Sequence, residues 1–343
     1  MDFALTTEQT ALVDSVARFV GRDYGFEVRG TVVRRASGYD PAHWATFAEL
    51  GWLGAGLPEV LGGFGGGAIE FALIAEQLAK GLVVEPFLPV VQALHLLAAV
   101  PDFAGRTGLI ESVIMGELKL VIAEGELRSE GETLSGTAKL VAGGPSADRF
   151  LAVSGDALYL VAGDAPGLVR QDYRLLDNRR ASDLAFASVP AQKLAENAAP
   201  ALNCARDHAL LMLCAEAVGA MEAALWMTRD YAKTRTQFGR PVSEFQGLQF
   251  RMADMLVECE LARSMLYQGL AAIGAPDQSR RIAAAKAMIS EAGLFVGRQA
   301  IQLHGGIGMT EECQIGHYYK RLFVIAHLFG APDAQIERFV VQS

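Results

Sequence analysis

The sequence is poor in cysteine, and the few it has are widely spaced. Its 343 residues include four, Cys204, Cys214, Cys259 and Cys313, and no two of them form a CxxC pair. This spacing argues against a disulfide framework or a cysteine-based zinc site and is typical of reduced thiols. We therefore expect a cytoplasmic protein without a bound metal.

Positive charge is in deficit. The chain has 30 lysines and arginines against 39 aspartates and glutamates, a net charge of −9. A nucleic-acid-binding surface needs clustered lysine and arginine, so we expect no nucleic-acid partner. A few local cations would still be enough to bind a small anionic ligand.

Long apolar runs are scarce, and this bears on membranes and export. The N-terminal segment MDFALTTEQTALVDSVARF has neither the basic nor the apolar region of a signal peptide. The apolar stretch around Ala93–Val100 is too short to cross a bilayer and contains His95. We expect no membrane span.

The periodicity of apolar residues divides the chain into three segments. Residues 1–117 have helical spacing, beginning at a capping sequence, Thr6-Thr7-Glu8-Gln9. Residues 118–195 form short period-two runs separated by turn residues, which predict an inserted antiparallel β domain. Residues 196–343 are helical again. They begin with Arg206–Lys233, which is apolar nearly all round and so predicts a helix buried in a bundle or a subunit interface.

A run of glycines at Gly62–Gly67 allows two interpretations. A dinucleotide-binding loop would follow a buried strand, but no β-branched apolar run precedes these residues. The pattern therefore favours a flexible turn between helices.

The most informative stretch is YAKTRTQFGRPVSEFQGLQF, at Tyr231–Phe250. Arg235 carries a planar, permanently charged fork that suits phosphate oxygens, and Phe238 offers an apolar wall beside it. A surface arginine at a helix end is the plainer interpretation of the same residue. A second stretch, IQLHGGIGMTEE, places paired glycines where a helix ends, which can stop the helix or admit a ligand.

Together these two stretches closely resemble the paired signatures of the acyl-CoA dehydrogenases, flavoenzymes that desaturate acyl-CoA thioesters. The segment AELGWLGAGLPEVLGGFGGG followed by IAEQLAKG is similar to another part of the family pattern, and the similarity covers essentially the whole chain. It implies a mainly α fold with an N-terminal helical domain (1–117), a middle antiparallel β domain (118–195) and a C-terminal four-helix bundle (196–343). It also implies an acyl-CoA substrate, FAD as cofactor and an electron-transferring flavoprotein as acceptor.

The resemblance assigns the flavin contacts to five residues. The family residues matching Arg235, Phe238, Gln302, Gly305 and Gly306 meet the cofactor from the neighbouring subunit. A flavin site shared in this way requires a dimer or a dimer of dimers. His304, between these positions, is a possible ligand or proton carrier, but a lone histidine ending an apolar helix is expected to be structural.

The catalytic carboxylate of the family has no clear counterpart. Desaturation needs a base that removes the α-proton of the thioester. At the two positions where the family places this base the chain has Phe329 and Ala209, and neither can accept a proton. Asp207 lies about 200° around the helix from Ala209 and should face elsewhere. Glu216 is a candidate relocated base, with an interhelical contact as its alternative role.

The middle domain also departs from the family pattern. A loop that meets substrate and flavin is reduced to Ala123-Glu124-Gly125-Glu126, which runs into the next strand. A run beside the flavin ring corresponds to Leu140-Val141-Ala142, so a hydroxyl that would bond the flavin is replaced by a methyl.

Three hypotheses follow from this pattern. Some family members that resemble steroid-degradation enzymes are α2β2 heterotetramers with short subunits, and this chain is similar to a base-lacking subunit that completes its partner's FAD site. The second hypothesis is a self-sufficient homo-oligomer with a relocated carboxylate. The third is a hydrolase built on Cys204 and His208, which are four residues apart and share a helix face.

Overall fold

The computed structural model describes residues 4–341 of the chain. The predicted order of helices, strands and helices is confirmed. The first block of helices is α1 (Thr7–Arg22), α2 (Phe26–Val32), α3 (Pro41–Glu49), α4 (Ala68–Lys80), α5 (Phe87–Ala99) and α6 (Arg106–Ile114). The predicted start of α1 is a full capping box, in which Thr6 and Gln9 each bond the other's backbone N–H.

The middle of the chain folds into a seven-stranded sheet. Its strands are β1 (Leu120–Glu130), β2 (Thr133–Ala142), β3 (Arg149–Ser154), β4 (Ala157–Ala162), β5 (Leu168–Arg174), β6 (Arg180–Pro190) and β7 (Gln192–Ala195). Their spatial order is β5-β6-β2-β1-β3-β4-β7. The prediction of an antiparallel domain was wrong at one pairing, since β1 and β3 run parallel, from Leu120 opposite Arg149 to Glu124 opposite Val153. The sheet is therefore mixed.

Helices return after the sheet. They are α7 (Ala199–Thr234), α8 (Gln246–Ala271), α9 (Gln278–His304), α10 (Gln314–His327) and α11 (Pro332–Val341). Between α7 and α8 lies a two-strand hairpin, β8 (Thr236–Gln237) with β9 (Arg240–Pro241).

One helix bears on the expectation that the chain has no membrane span. By length and composition alone, α7 could cross a bilayer, and it is the one such helix among residues 4–341. However, 78% of its most apolar window is buried inside the protein, which agrees with the prediction of a buried helix.

The chain forms two compact units, which we describe separately. The first combines the described parts of Met1–Val28, Ala72–Val83 and Leu210–Ser343, and the second combines Arg29–Phe71 with Val84–Ala209. Each unit joins segments that are distant in the sequence but packed together. The division into three domains at residues 117 and 195 stays a prediction.

In the first unit α9 is the central helix, packed against α8, α10 and α11. The crossing of α4 and α7 is fixed by Gly219, where an added Cβ would lie 2.1 Å from the carbonyl oxygen of Glu76. No side chain fits there, so only glycine allows this close approach.

In the second unit α5 packs against β1 and is buried along almost its whole length. Aromatic side chains fill the adjoining core: Phe71 meets Phe87 at 6.1 Å between ring centroids, and Trp52 is fully buried. Burial of such large apolar side chains is the main stabilising contribution to this unit.

Candidate flavin-contact site

A tight turn in the β8–β9 hairpin presents an aromatic ring to solvent. Phe238 and Gly239 are its central residues, and both have positive φ, 52° and 81°. Positive φ at both positions matches the twist of a two-residue hairpin but is unfavourable for a phenylalanine. The Phe238 side chain is 92% exposed. Phe238 therefore combines an unfavourable backbone conformation with an exposed aromatic ring on a short hairpin.

A stacking contact brings the two sequence stretches together in the first unit. The rings of Tyr231, near the end of α7, and His304, the last residue of α9, stack with centroids 4.4 Å apart. The Tyr231 hydroxyl also donates to the His304 carbonyl oxygen at 3.3 Å. The hairpin and the glycine pair, at least 64 positions apart in the sequence, thus follow two helix ends that lie side by side.

His304 has a structural role in this arrangement. Its Nδ1 lies 2.8 Å from the Ala300 carbonyl oxygen, which can only accept, so Nδ1 carries the proton. Burial lowers the pKa of the imidazole, which favours its neutral form. The expectation that His304 is structural agrees with this geometry.

The predicted glycine pair leaves open space. Gln302 is exposed on the last turn of α9, and Gly305 and Gly306 follow it in a short 3-10 turn. An added Cβ at either glycine would meet no atom within 4 Å, and Gly305 has a φ of 68°. The backbone here can therefore be approached closely by a ligand or another chain.

Two arginines give the site its positive charge. Arg235 is exposed, and within residues 4–341 its guanidinium makes no ion pair. Arg240 lies over the Phe245 ring at 4.1 Å, a cation–π contact. An exposed guanidinium, an aromatic wall and open glycine backbone suit a pyrophosphate joined to a flat ring system, so these residues fit FAD.

Apolar side chains are exposed on the same two stretches and on α8. They include Phe250 (60% exposed), Val257 (55%), Ile307 (52%) and Met309 (75%). Exposed apolar surface of this kind is typical of an interaction site. It agrees with the expectation that the flavin contacts face a neighbouring subunit.

The two positions of the family base are occupied by packing residues. Phe329 lies in the link between α10 and α11, with a φ of 57°, and packs against Leu210, Leu211 and Ile282. Ala209 is fully buried on α7, in the second unit. Neither side chain can take a proton.

Glu216, the candidate relocated base, is held in a buried ion pair. Arg321 on α10 donates to it through Nε, at 2.9 Å from Oε1, and through Nη2, at 2.5 Å from Oε2. Both residues are 4% exposed. A carboxylate held in this bidentate pair is stabilised in its charged form and is a poor proton acceptor, so we withdraw Glu216 as a base.

Cys204 and His208 do not form a nucleophile–base pair. Burial, and then the charge of Asp207, raise the pKa of the Cys204 thiol, which disfavours the thiolate a nucleophile needs. His208 instead stacks on His95, with centroids 3.9 Å apart. The hydrolase hypothesis therefore has no support from geometry.

The predicted reduction of the middle-domain loop needs a correction. Ala123–Glu126 is not a loop; it lies inside the eleven-residue strand β1. Glu124 accepts from Arg206 at 2.6 Å within the second unit. Leu140, near the end of β2, is 47% exposed with a φ of 54°, and its N–H donates to Asp183. A continuous strand leaves no loop at this point to reach a ligand.

Comparison with known proteins agrees with this geometry. Residues 6–101 match the family model for the acyl-CoA dehydrogenase N-terminal domain, and residues 201–340 match that for the C-terminal domain. Acyl-CoA dehydrogenase IpdE2 of Mycolicibacterium smegmatis is 31% identical over 335 residues, which are 97% of this chain and 98% of the relative. The chain belongs to the acyl-CoA dehydrogenase family. Members of this family depend on FAD.

Two solved structures are similar to the chain over nearly its whole length, and one of them is described as a steroid acyl-CoA dehydrogenase. The Tcur3481–Tcur3483 steroid acyl-CoA dehydrogenase (G363A variant) matches with a TM-score of 0.90 and 29% identity, over 98% of this chain and 97% of the other. The ChsE4–ChsE5 complex of Mycobacterium tuberculosis matches with a TM-score of 0.92 and 26% identity, over 100% and 98%. The resemblance seen in the sequence is thus confirmed.

Sequence reasoning missed two features of this member of the family. The partner of Glu216 is Arg321, 105 residues later, and no local pattern joins them. Lys286 is fully buried on α9 and donates to the last carbonyls of α10, 2.9 Å from Ile325 O. In the sequence, the burial of Lys286 is indicated only by the apolar residues around it.

Proposed function

We propose that this chain is a base-lacking subunit that completes the FAD site of a catalytic, acyl-CoA dehydrogenase-like partner, in α,β-desaturation of an acyl-CoA thioester. The observation that carries the proposal is the contrast between two parts of the first unit. The residues expected to meet flavin are exposed and unobstructed. At the expected base position in the same unit, the partly buried Phe329 packs against the core.

On the flavin side, five residues would hold the cofactor. Arg235 would bind pyrophosphate oxygens, Phe238 would cover an apolar face, and Gln302 would hydrogen-bond the cofactor. Gly305 and Gly306 would let their backbone approach it. When bound, FAD accepts the hydride equivalent removed from the acyl chain. Because all five are exposed in the single chain, most of the cofactor's contacts would come from the partner.

On the substrate side, the chain offers no carboxylate at either expected position. Phe329 and Ala209 cannot take the α-proton, and Glu216 is committed to Arg321. The base would therefore be a carboxylate of the partner subunit. This division of labour requires a hetero-oligomer, either a dimer or a dimer of dimers.

Two matches support a hetero-oligomer. The ChsE4–ChsE5 complex and the Tcur3481–Tcur3483 protein are each named as pairs of different chains. Each is matched by this chain over nearly its whole length. By the same family reasoning, we propose a cytoplasmic location and an electron-transferring flavoprotein as the electron acceptor.

In the alternative, a self-sufficient homo-oligomer, Glu216 would have to act as the base, but its carboxylate is paired with Arg321. The two alternatives differ in the visible absorption of the purified chain. We would record that spectrum for the chain alone, for the chain with added FAD, and after co-expression with a second acyl-CoA dehydrogenase-like chain.

We expect the chain alone to be colourless and to retain no added FAD. Only the co-purified complex should show a flavin spectrum, at about 450 nm, the usual band of oxidised flavin. A stoichiometric flavin spectrum from the chain alone, bleached by an acyl-CoA, would refute the partner-subunit function. Flavin without bleaching would mean that the chain holds FAD by itself but still lacks the base.

A further inference from the structure

Two polar side chains on α5 and one on α7 lie in the second unit and are largely removed from solvent. Gln92 and His95 lie three residues apart on α5, so they share one face of that helix. His208, on α7, stacks on His95 with ring centroids 3.9 Å apart and planes at 26°. All three belong to the same compact unit.

Each of these side chains has a buried polar atom with no hydrogen-bond partner among residues 4–341. The atoms are Gln92 Nε2, His95 Nε2 and His208 Nδ1. Gln92 is 5% exposed and His95 8%. A buried donor or acceptor without a partner is costly, and three in one place are rare in a core whose only purpose is packing.

An aromatic ring adjoins the cluster, and burial favours the neutral form of both imidazoles. The edge of Phe71 meets His95, with centroids 5.2 Å apart at 79°. Burial, and then His208, lower the pKa of His95, while burial lowers that of His208 against the opposing effect of Asp207. Neutral imidazole and amide groups suit a neutral partner, since an anion would meet no compensating charge.

A metal ion is a poorer explanation than a ligand oxygen. Among residues 4–341 no group of three or more histidine, cysteine, aspartate or glutamate side chains is placed to hold one. An oxygen with two lone pairs can instead accept from the Gln92 amide and from an imidazole N–H together.

We propose that Gln92, His95 and His208 form a ligand subsite that hydrogen-bonds a neutral oxygen, a ketone or a hydroxyl, carried on the acyl group of a CoA thioester. The proposal rests on the proposed acyl-CoA chemistry of the chain and adds the class of acyl group. The subsite would use the buried Nε2 of His95 and the buried Nδ1 of His208. Acyl groups with an oxygen far from the thioester would then be preferred over plain alkyl chains.

The test is a matched series of ligands, measured by calorimetry on the full chain. The probes are octanoyl-CoA and the four oxooctanoyl-CoAs with the ketone on carbon 4, 5, 6 or 7. We expect at least one ketone to bind roughly fivefold tighter than octanoyl-CoA, the gain expected of one neutral hydrogen bond. His95→Phe should abolish this preference, because it keeps the ring stack but removes both nitrogens.

A control variant and a second measurement distinguish loss of the subsite from misfolding of the variant. His327→Phe, at an exposed histidine on α10, should keep the preference. In the unsubstituted chain labelled with ¹⁵N-histidine, the preferred ketone should shift the His95 and His208 imidazole signals, whereas octanoyl-CoA should not.

Equal affinity for all five thioesters would overturn the subsite and leave the proposed acyl-CoA chemistry standing. If no thioester binds, free 2-octanone separates the two ideas. A shift of the same histidine signals by 2-octanone would keep the subsite and reject acyl-CoA binding by this chain. No response to 2-octanone either would reject both.

Discussion

Neutralising Glu216 separates a structural carboxylate from a catalytic one. Glu216→Gln keeps the size of the side chain but removes its charge. Arg321 would then be a buried guanidinium, 4% exposed, without the carboxylate that now takes two of its N–H groups at 2.9 and 2.5 Å. Removing one partner of a buried ion pair is strongly destabilising, because the two strong hydrogen bonds and the charge attraction of the pair are lost where water cannot replace them.

The expected loss of unfolding free energy is about 3–5 kcal/mol. At about 2–4 °C per kcal/mol, the melting midpoint should fall by several degrees or more. Circular dichroism at 222 nm during a thermal ramp measures this. A matched control is Glu260→Gln on α8, where the glutamate is exposed, and its midpoint should hardly change. Replacing both partners, Glu216→Leu with Arg321→Met, should recover much of the loss.

The contrary result is specific. If Glu216→Gln keeps the melting midpoint of the unsubstituted chain but abolishes flavin bleaching by acyl-CoA in the assembled complex, Glu216 is a base. The structural assignment of the ion pair would then be wrong.

Three further predictions follow from the first unit. Burial lowers the pKa of Lys286 to about 8, below its ordinary 10.5. The folded chain therefore loses this proton at a lower pH than the unfolded chain, so the free energy of unfolding rises between about pH 8 and 10.5. The stability of Lys286→Met relative to the unsubstituted chain should therefore fall by roughly 3 kcal/mol over that range in urea unfolding, and a constant difference would contradict the buried lysine. Phe329→Ala should cost about 2–4 kcal/mol in the same assay, because it empties a contact with Leu210 and its neighbours, and no loss would mean that the ring does not pack there. Arg235→Ala should leave the melting midpoint unchanged but lower the flavin content of the complex. The control Arg18→Ala, at an exposed arginine, should change neither. Equal flavin content with the unsubstituted chain and with both variants would show that Arg235 is not part of the site.

The order of elements could be predicted because it depends on local signals. Helical spacing and the capping sequence at Thr6 mark α1, and period-two runs mark the strands of the sheet. The parallel pairing of β1 with β3 could not be predicted, since strand order depends on contacts between segments distant in sequence.

The candidate site was predictable only in part. The motif around Arg235 and the glycine pair at Gly305 are contiguous patterns, and the family resemblance rests on them. The stacking of Tyr231 on His304, which brings the two motifs together, is a long-range contact without a sequence signal. The same is true of the ion pair between Glu216 and Arg321, which removed a candidate base that looked reasonable in sequence alone.

The most direct test of a base-lacking subunit is exchange of the substrate's α-proton. The chain alone, with FAD added in excess, would be mixed with an acyl-CoA in D₂O, and deuterium at the α-carbon would be followed by mass spectrometry beside the flavin absorbance. We expect neither exchange nor bleaching from the chain alone, and both once the catalytic partner is added. Exchange catalysed by the chain alone would show that it carries its own base and would contradict the proposed function.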